Sequence, residues 1–357
     1  MLARYAVGYS WTRYRIPFKR PLVTAHGIFP YREGAIVEVT DGTGLTGVGE
    51  IAPPPGFGIS LDDALAPLIA LGSSGQYESP GSFGDIWPHD EWKALPPATR
   101  FGLDTAKRDL DAQTTDEPPD KPTRVRVNAT IAAVDVDEAV HAAREAVGKG
   151  IGCVKLKVGT LSTVDEEAAR VAAVRAAIGP DIHLRIDANE AWEYKQALAV
   201  LQAIAQYDIQ YCEQPVGRDA LADMHRLRRE QPIPIAADEA VTDLASVRRV
   251  FEAKAADVLI LKPQCFGDIW DRLRPMQEAA SNNVAWVWTS SMEAGIGVCA
   301  SISATRPNPK YPESGLFTLD LLEDDLILTP PELRDGAVEA PPRNGMLDYE
   351  ALVRYAI

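Results

Sequence analysis

The sequence predicts an α/β protein, a parallel (β/α)8-type barrel preceded by a smaller α+β module, and three observations carry that reading. Beyond residue 120, short apolar runs are separated mostly by Ala-rich amphipathic segments, so strand and helix signals alternate. The runs are continuously apolar rather than alternating, as strands covered on both faces must be. Five of them end on a charged residue at nearly even intervals: Lys157, Asp187, Glu213, Asp238 and Lys262 lie 30, 26, 25 and 24 residues apart. That interval is about one strand, one loop and one helix.

The first 120 residues have a different texture. AIVEVTDGTGLTGVGEIAP reads as two strands around Gly-rich turns, and APPPGFG reads as a rigid loop. LDDALAPLIALG and ATRFGLDTAKRDLDAQ carry apolar residues at helical spacing, completing an α+β module. Gly42, Gly44 and Gly47 match GxGxxG, but three prolines follow instead of a helix, which makes a hairpin turn the better reading than a dinucleotide site. TTDEPPDKPT then reads as a linker. RVRVNATIA, CVKLKV, HLRIDA, IQYCEQ, PIAADE, DVLILK, VAWVWTS and GLFTLD supply eight barrel runs. The tail from residue 323 breaks the rhythm and ends in turn and strand signals. The expected division is therefore 1–120 for the small module, 121–322 for the barrel, and 323–357 packing at the seam.

Composition limits the partners. The 46% hydrophobic content suffices for a large core, while a net charge of −15 repels phosphate backbones and leaves no basic stripe for nucleic acid or an anionic membrane. An anionic small-molecule substrate must therefore be attracted locally. No run of 18 apolar residues and no signal peptide is evident, and Cys153, Cys212, Cys265 and Cys299 form no CxxC pair, so a cytoplasmic protein with buried thiols is expected. The sequence does not specify an oligomeric state.

Parallel barrel strands deliver their C-terminal residues to one mouth, so Asp187, Glu213 and Asp238 converge with a lysine on either side. One strand-end acid is readily explained as a cap on the next helix. Three at the barrel interval are better explained as ligands of a hard cation, and Mg2+ suits carboxylate oxygens without His or Cys. Lys155 and Lys157 share a face by strand alternation, and in a barrel that face is the interior. A second ammonium and a metal nearby are expected to lower a lysine toward 7 to 8, making a base usable at neutral pH. Arg185, two residues before Asp187, shares its inward face and is a candidate either for substrate contact or for pairing with a barrel acid.

KLK at 155–157, DAN at 187–189, EQP at 213–215, DE at 238–239 and LKP at 261–263 resemble the enolase superfamily, within its muconate-lactonizing subgroup. The resemblance covers essentially the whole chain and implies a modified (β/α)8-type barrel with an α+β capping domain. It implies Asp187, Glu213 and Asp238 as Mg2+ ligands, Lys157 and Lys262 as acid/base residues, and Lys155 as the group polarising a substrate carboxylate. Asn189 and Glu239 would orient the ligands. The shared chemistry is removal of a proton α to a carboxylate, with Mg2+ and a Lys or His base. Members using His carry it on the seventh strand, and VAWVWTSSMEAG has none.

Finer resemblances choose among reactions. Dipeptide epimerases of the subgroup usually carry Asp-x-Asp where this chain has Thr318-Leu319-Asp320. GLFTLD, TSSMEAGIG and RPLVTAHG are instead similar to the o-succinylbenzoate synthase family, and Val158-Gly159 departs from the Pro-Gly typical of acylamino-acid racemases. The family implies a Mg2+-dependent dehydratase of menaquinone or phylloquinone biosynthesis acting on 2-succinyl-6-hydroxy-2,4-cyclohexadiene-1-carboxylate. Thr289, Ser290 and Ser291 are then candidates for the succinyl carboxylate. An N-acylamino-acid racemase, or another epimerase or cycloisomerase of the subgroup, is the alternative, and a non-catalytic metal-binding scaffold the remote one.

Overall fold

A computed structural model of the protein describes residues 6–24, 27–71, 77–78, 89–113 and 124–357; His26 and the linker lie outside the described residues. The N-terminal part is an antiparallel sheet of β1 (Ala6–Thr24), β2 (Gly27–Asp41), β3 (Thr46–Ile51) and β4 (Tyr77–Glu78) in the order β3-β2-β1-β4. The long β1 was not evident from the sequence pattern. Helices α1 (Leu61–Leu71), α2 (His89–Ala94) and α3 (Pro97–Ala112) accompany it. The GxGxxG match is the β2–β3 hairpin turn, where Asp41 Oδ1 accepts from the Thr43 and Leu45 amides. Its last glycine serves packing: a Cβ on Gly47 would stand 2.1 Å from the Ala106 carbonyl of α3.

The barrel follows. After β5 (Arg124–Arg126), parallel strands β6 (Ala129–Ile131), β7 (Cys153–Lys157), β8 (His183–Asp187), β9 (Ile209–Glu213), β10 (Ile235–Ala237), β11 (Val258–Leu261) and β12 (Ala285–Trp288) pair in sequential order. Between them run α4 (Val136–Gly148), α5 (Val164–Ile178), α6 (Tyr194–Ile204), α7 (Leu221–Glu230), α8 (Leu244–Glu252), α9 (Pro263–Phe266) and α10 (Ile269–Ser281), with α11 (Gly295–Ala304) after β12. Several helix starts are written locally. Asp135 caps α4, Thr163 and Glu166 form a capping box on α5, and Asp243 with Ser246 does the same on α8.

The expected eighth strand is not a regular one. Parallel bridges Val127↔Ser314 and Thr289↔Gly315 close the sheet, and the chain then enters a 3-10 turn at Leu319–Leu321. The closure is tight, since a Cβ on Gly315 would lie 2.4 Å from Thr289 Oγ1. RVRVNATIA likewise divides, because β5 turns aside to pair antiparallel with β13 (Ala337–Glu339).

The tail ends in α12 (Tyr349–Tyr355) rather than a strand, because Asp348 accepts from the Glu350 and Ala351 amides and starts a helix. Ala351 and Leu352 join Tyr14, Ile16, Phe18, Leu326 and Ile327 in an apolar cluster between the small module, the tail and α11. Full burial of each large aliphatic side chain there contributes about 1.5–3 kcal/mol. All four cysteines are buried free thiols. Among the described residues no helix is long and apolar enough to cross a membrane.

Candidate active site

Strand register explains why residues far apart in sequence meet. Lys157 pairs with Asp187 across β7–β8, and Asp187 pairs with Glu213 across β8–β9, so one row crosses the C-terminal ends of three strands. Asp238 and Lys262 directly follow β10 and β11. Asp187 and Glu213 are essentially fully buried, and Lys155, Asp238, Glu239 and Lys262 are nearly so.

The charges interlock. Lys155 Nζ donates to Asp187 Oδ2 at 3.0 Å and to Glu213 Oε1 at 2.8 Å. Lys157 Nζ donates to Asp187 Oδ2 at 2.7 Å and to Asn189 Oδ1 at 2.6 Å. Lys262 Nζ is paired with Asp238 Oδ1. Asn189 also donates from Nδ2 to Glu239 Oε1 at 2.9 Å, so it links Lys157 to the far acid. Its left-handed backbone, φ 45, is shared by the next residue, Glu190, at φ 68.

Burial alone would raise Asp187, but Lys155 and Lys157 outweigh it and hold the carboxyl well below its usual range. Glu213 is pushed up to about 8 by burial and then by Asp187. Glu239 reaches about 8 by burial and then by Asp238 and Asp187. Burial lowers Lys155 and Lys262, yet Asp187 and Glu213 lift Lys155 well above an ordinary lysine, and Asp238 and Glu239 lift Lys262. Lys155 is within ion-pair distance of Asp187 and Glu213, and Lys262 of Asp238, and these carboxylates outweigh the effect of burial.

Among the described residues, no three His, Cys, Asp or Glu side chains stand close enough as arranged to enclose one ion. Ammonium groups instead hold oxygens of Asp187, Glu213 and Asp238. The donor chemistry nevertheless fits a hard divalent cation. The acids offer oxygen only, and the buried Glu239 Oε2 has no hydrogen-bond partner.

The remaining candidates separate. Arg185 is fully buried, with its guanidinium engaged by Gln210 Oε1 at 2.6 Å, Asn128 Oδ1 at 3.3 Å, and Glu313 through its carbonyl at 2.9 Å and Oε2 at 3.2 Å. It is a structural partner of Glu313, one layer below the acids. Thr289 Oγ1 donates to the Gly315 carbonyl in the barrel closure. Ser290 Oγ meets Thr318 Oγ1 at 2.8 Å, while Ser291 is fully buried with its hydroxyl unpaired. Ser290 and Thr318 thus form a hydroxyl pair after the C-terminal end of β12. Asp320 is exposed. His183 opens β8 and contacts Glu313, away from the Asp187 end.

Several neighbours escaped the sequence reading. Phe57, from the APPPGFG loop, places its ring 4.3 Å from Lys262 Nζ. Arg218 and Glu190 pair beside that loop. Gln214 accepts through Oε1 from the Asp238 and Ala240 amides at 3.0 and 3.2 Å, fixing the turn that presents Asp238. Gln214 adjoins a recognised motif residue, which was a usable signal; Phe57 and Arg218 had none.

With this geometry in place, comparisons with known proteins can be weighed. A family model described as "Enolase C-terminal domain-like" matches residues 138–346. An o-succinylbenzoate synthase from Thermobifida fusca is 36% identical over 205 residues, covering 57% of this chain and 62% of that protein. A hydrophobic dipeptide epimerase from Enterococcus faecalis is 30% identical over 304 residues, 82% of this chain and 85% of the other. The crystal structure of a muconate lactonizing enzyme from Pseudomonas fluorescens, complexed with muconolactone, superposes with a TM-score of 0.85 at 23% identity, covering 99% and 100% of the two chains.

Proposed function

The chain belongs to the enolase C-terminal domain-like family, in the enolase superfamily, and from that premise we propose that it is an o-succinylbenzoate synthase. The reaction is the Mg2+-dependent syn-dehydration of 2-succinyl-6-hydroxy-2,4-cyclohexadiene-1-carboxylate in menaquinone or phylloquinone biosynthesis. The observation that carries the chemistry is the placement of Lys157 and Lys262 on opposite flanks of the buried acids, one paired with Asp187 and the other with Asp238.

In this reading Asp187, Glu213 and Asp238 hold Mg2+, with Asn189 and Glu239 orienting them. Bound there, the cation supplies positive charge to the substrate carboxylate as enediolate charge develops on its oxygens. Lys155 adds a fixed positive charge on the same side. Lys157 Nζ takes the α proton and then gives it to the departing hydroxyl from the same face, releasing water and restoring the base. Lys262 stabilises the developing charge from the other side.

Two features favour dehydration over epimerisation of a dipeptide. Thr318 stands where an acid would clamp the substrate amine and is bonded to Ser290, and Asp320 is exposed. The competing reading, an N-acylamino-acid racemase or other epimerase, is favoured by the opposed lysines. Assay of the purified protein on the cyclohexadiene, beside a panel of N-acyl amino acids and dipeptides, separates the two. Dehydration as the dominant activity supports the proposal, and dominant interconversion of enantiomers or epimers overturns it.

A further inference from the structure

Three loops that the reaction does not use directly meet at one arginine. Arg218 lies in the loop after β9, and Glu190 lies three residues beyond Asp187 in the loop after β8. Glu190 Oε1 accepts from the Arg218 backbone amide at 2.5 Å and from its Nε at 3.1 Å, while Oε2 accepts from Nη2 at 2.8 Å. A bidentate arginine–carboxylate pair holds the guanidinium plane in one orientation. The Glu190 side chain is only 9% exposed, so competing water is largely excluded. The left-handed backbone at Asn189 and Glu190 aims this carboxylate, and Glu190 N anchors to the Gln214 carbonyl at 2.9 Å.

The same guanidinium reaches the other module. Arg218 Nη1 donates to the Gly56 carbonyl at 3.0 Å, and its Cζ lies 5.8 Å from the centre of the Phe57 ring. Lys262 Nζ lies 4.3 Å from that ring. Phe57 therefore contacts two cations, a guanidinium fixed by Glu190 and the ammonium assigned to the reaction.

We propose that Glu190 and Arg218 form a latch between the barrel and the capping loop, and that Arg218 is a positioning residue that acts through Phe57 to hold and shield Lys262. The role of Lys262 in turnover rests on the function proposed above, but the latch itself does not. Arg218 spans a carboxylate and a carbonyl at once, which a lysine ammonium with no planar fork cannot reproduce.

The test reads the lysines directly. Wild type, Arg218→Ala, Arg218→Lys and Phe57→Ala are labelled briefly with an amine-reactive ester, and modification of Lys155, Lys157 and Lys262 is quantified by peptide mass spectrometry. All three Arg218 and Phe57 variants are expected to raise Lys262 labelling roughly 3- to 10-fold, the scale of one cation–π contact, with Lys157 unchanged. Adding Arg218→Ala to Phe57→Ala is expected to give no further rise, because both act through one ring. Unchanged Lys262 labelling, equal rises at all three lysines, or additive effects in the double variant would each overturn the latch. Steady-state kinetics on the cyclohexadiene are then expected to show kcat falling more than KM rises in Arg218→Ala. A wild type inactive on that substrate, with the labelling pattern intact, would reject the proposed reaction and leave the latch standing.

Discussion

Glu50 ends the β3 motif GVGE and is fully buried, although it belongs to the small module and faces the barrel. Its Oε1 accepts from the Ala294 amide at 2.8 Å and from the Tyr14 hydroxyl, and its Oε2 accepts from the Gly297 amide at 2.7 Å. It thus fastens the start of α11, directly after the Ser290–Ser291 loop. Burial first, and then the nearby Glu293 carboxyl, push Glu50 up to about 8 against an ordinary 4.5. The Tyr14 hydroxyl and the Gly297 and Ala294 amides, which donate to Glu50, oppose that rise.

A carboxyl raised in the folded state binds its proton more tightly there than in the unfolded chain. The stability it contributes is complete below about 4.5 and is lost as pH rises through about 8. At 1.36 kcal/mol per pH unit, the ceiling on that loss is on the order of 5 kcal/mol. Glu50→Gln keeps the shape without the titration. At pH 5, where both side chains are neutral, the variant is expected to be less stable than wild type by about 1–3 kcal/mol, because the amide replaces one acceptor with a donor. Between pH 5 and 8.5 the difference is expected to move in the variant's favour by several kcal/mol within that ceiling. Urea unfolding of both proteins at each half pH unit measures it. A difference that stays constant with pH, or moves the other way, refutes the reasoning.

Other outcomes follow from the same geometry. Asp187→Ala, Glu213→Ala and Asp238→Ala are each expected to weaken Mg2+ binding, read by calorimetry, and to lower activity in parallel; full activity after EDTA treatment would remove the metal from the account. Lys157→Ala is expected to cost about 10²–10⁴ in turnover with the fold retained by circular dichroism, and Lys157→Arg to fail as well because guanidinium stays protonated. Retention of more than about a tenth of the activity by either would move the base elsewhere. Gly315→Ala is expected to lower stability by about 1–3 kcal/mol, read as a fall in Tm, because its Cβ would press on Thr289 across the barrel closure.

What the sequence made legible follows from repetition. A strand–loop–helix unit returns each strand end to one level, so the even intervals of Lys157, Asp187, Glu213, Asp238 and Lys262 already place them in one mouth. Contacts that depend on side-chain geometry between loops have no such period. Phe57 reaches Lys262 across 205 residues, and Arg218 reaches Gly56 across 162. Strand alternation placed Arg185 on the inward face but not at its depth, and depth decides that it meets Glu313. The eighth strand was obscured because Ser314 and Gly315 alone make the closing bridges, while the apolar run continues past them.

The central claim is that Lys157 removes a proton α to a carboxylate to dehydrate the cyclohexadiene substrate in a Mg2+-dependent reaction. It is tested most directly by incubating wild type and Lys157→Ala with that substrate, with Mg2+ and with EDTA, and following the aromatic product by absorbance. The account predicts product from wild type with Mg2+, product formation lowered about 10²–10⁴-fold in Lys157→Ala, and none from either protein in EDTA. Undiminished product from Lys157→Ala or in EDTA, or a wild type that leaves the cyclohexadiene untouched while efficiently interconverting N-acyl amino acid enantiomers, would contradict it.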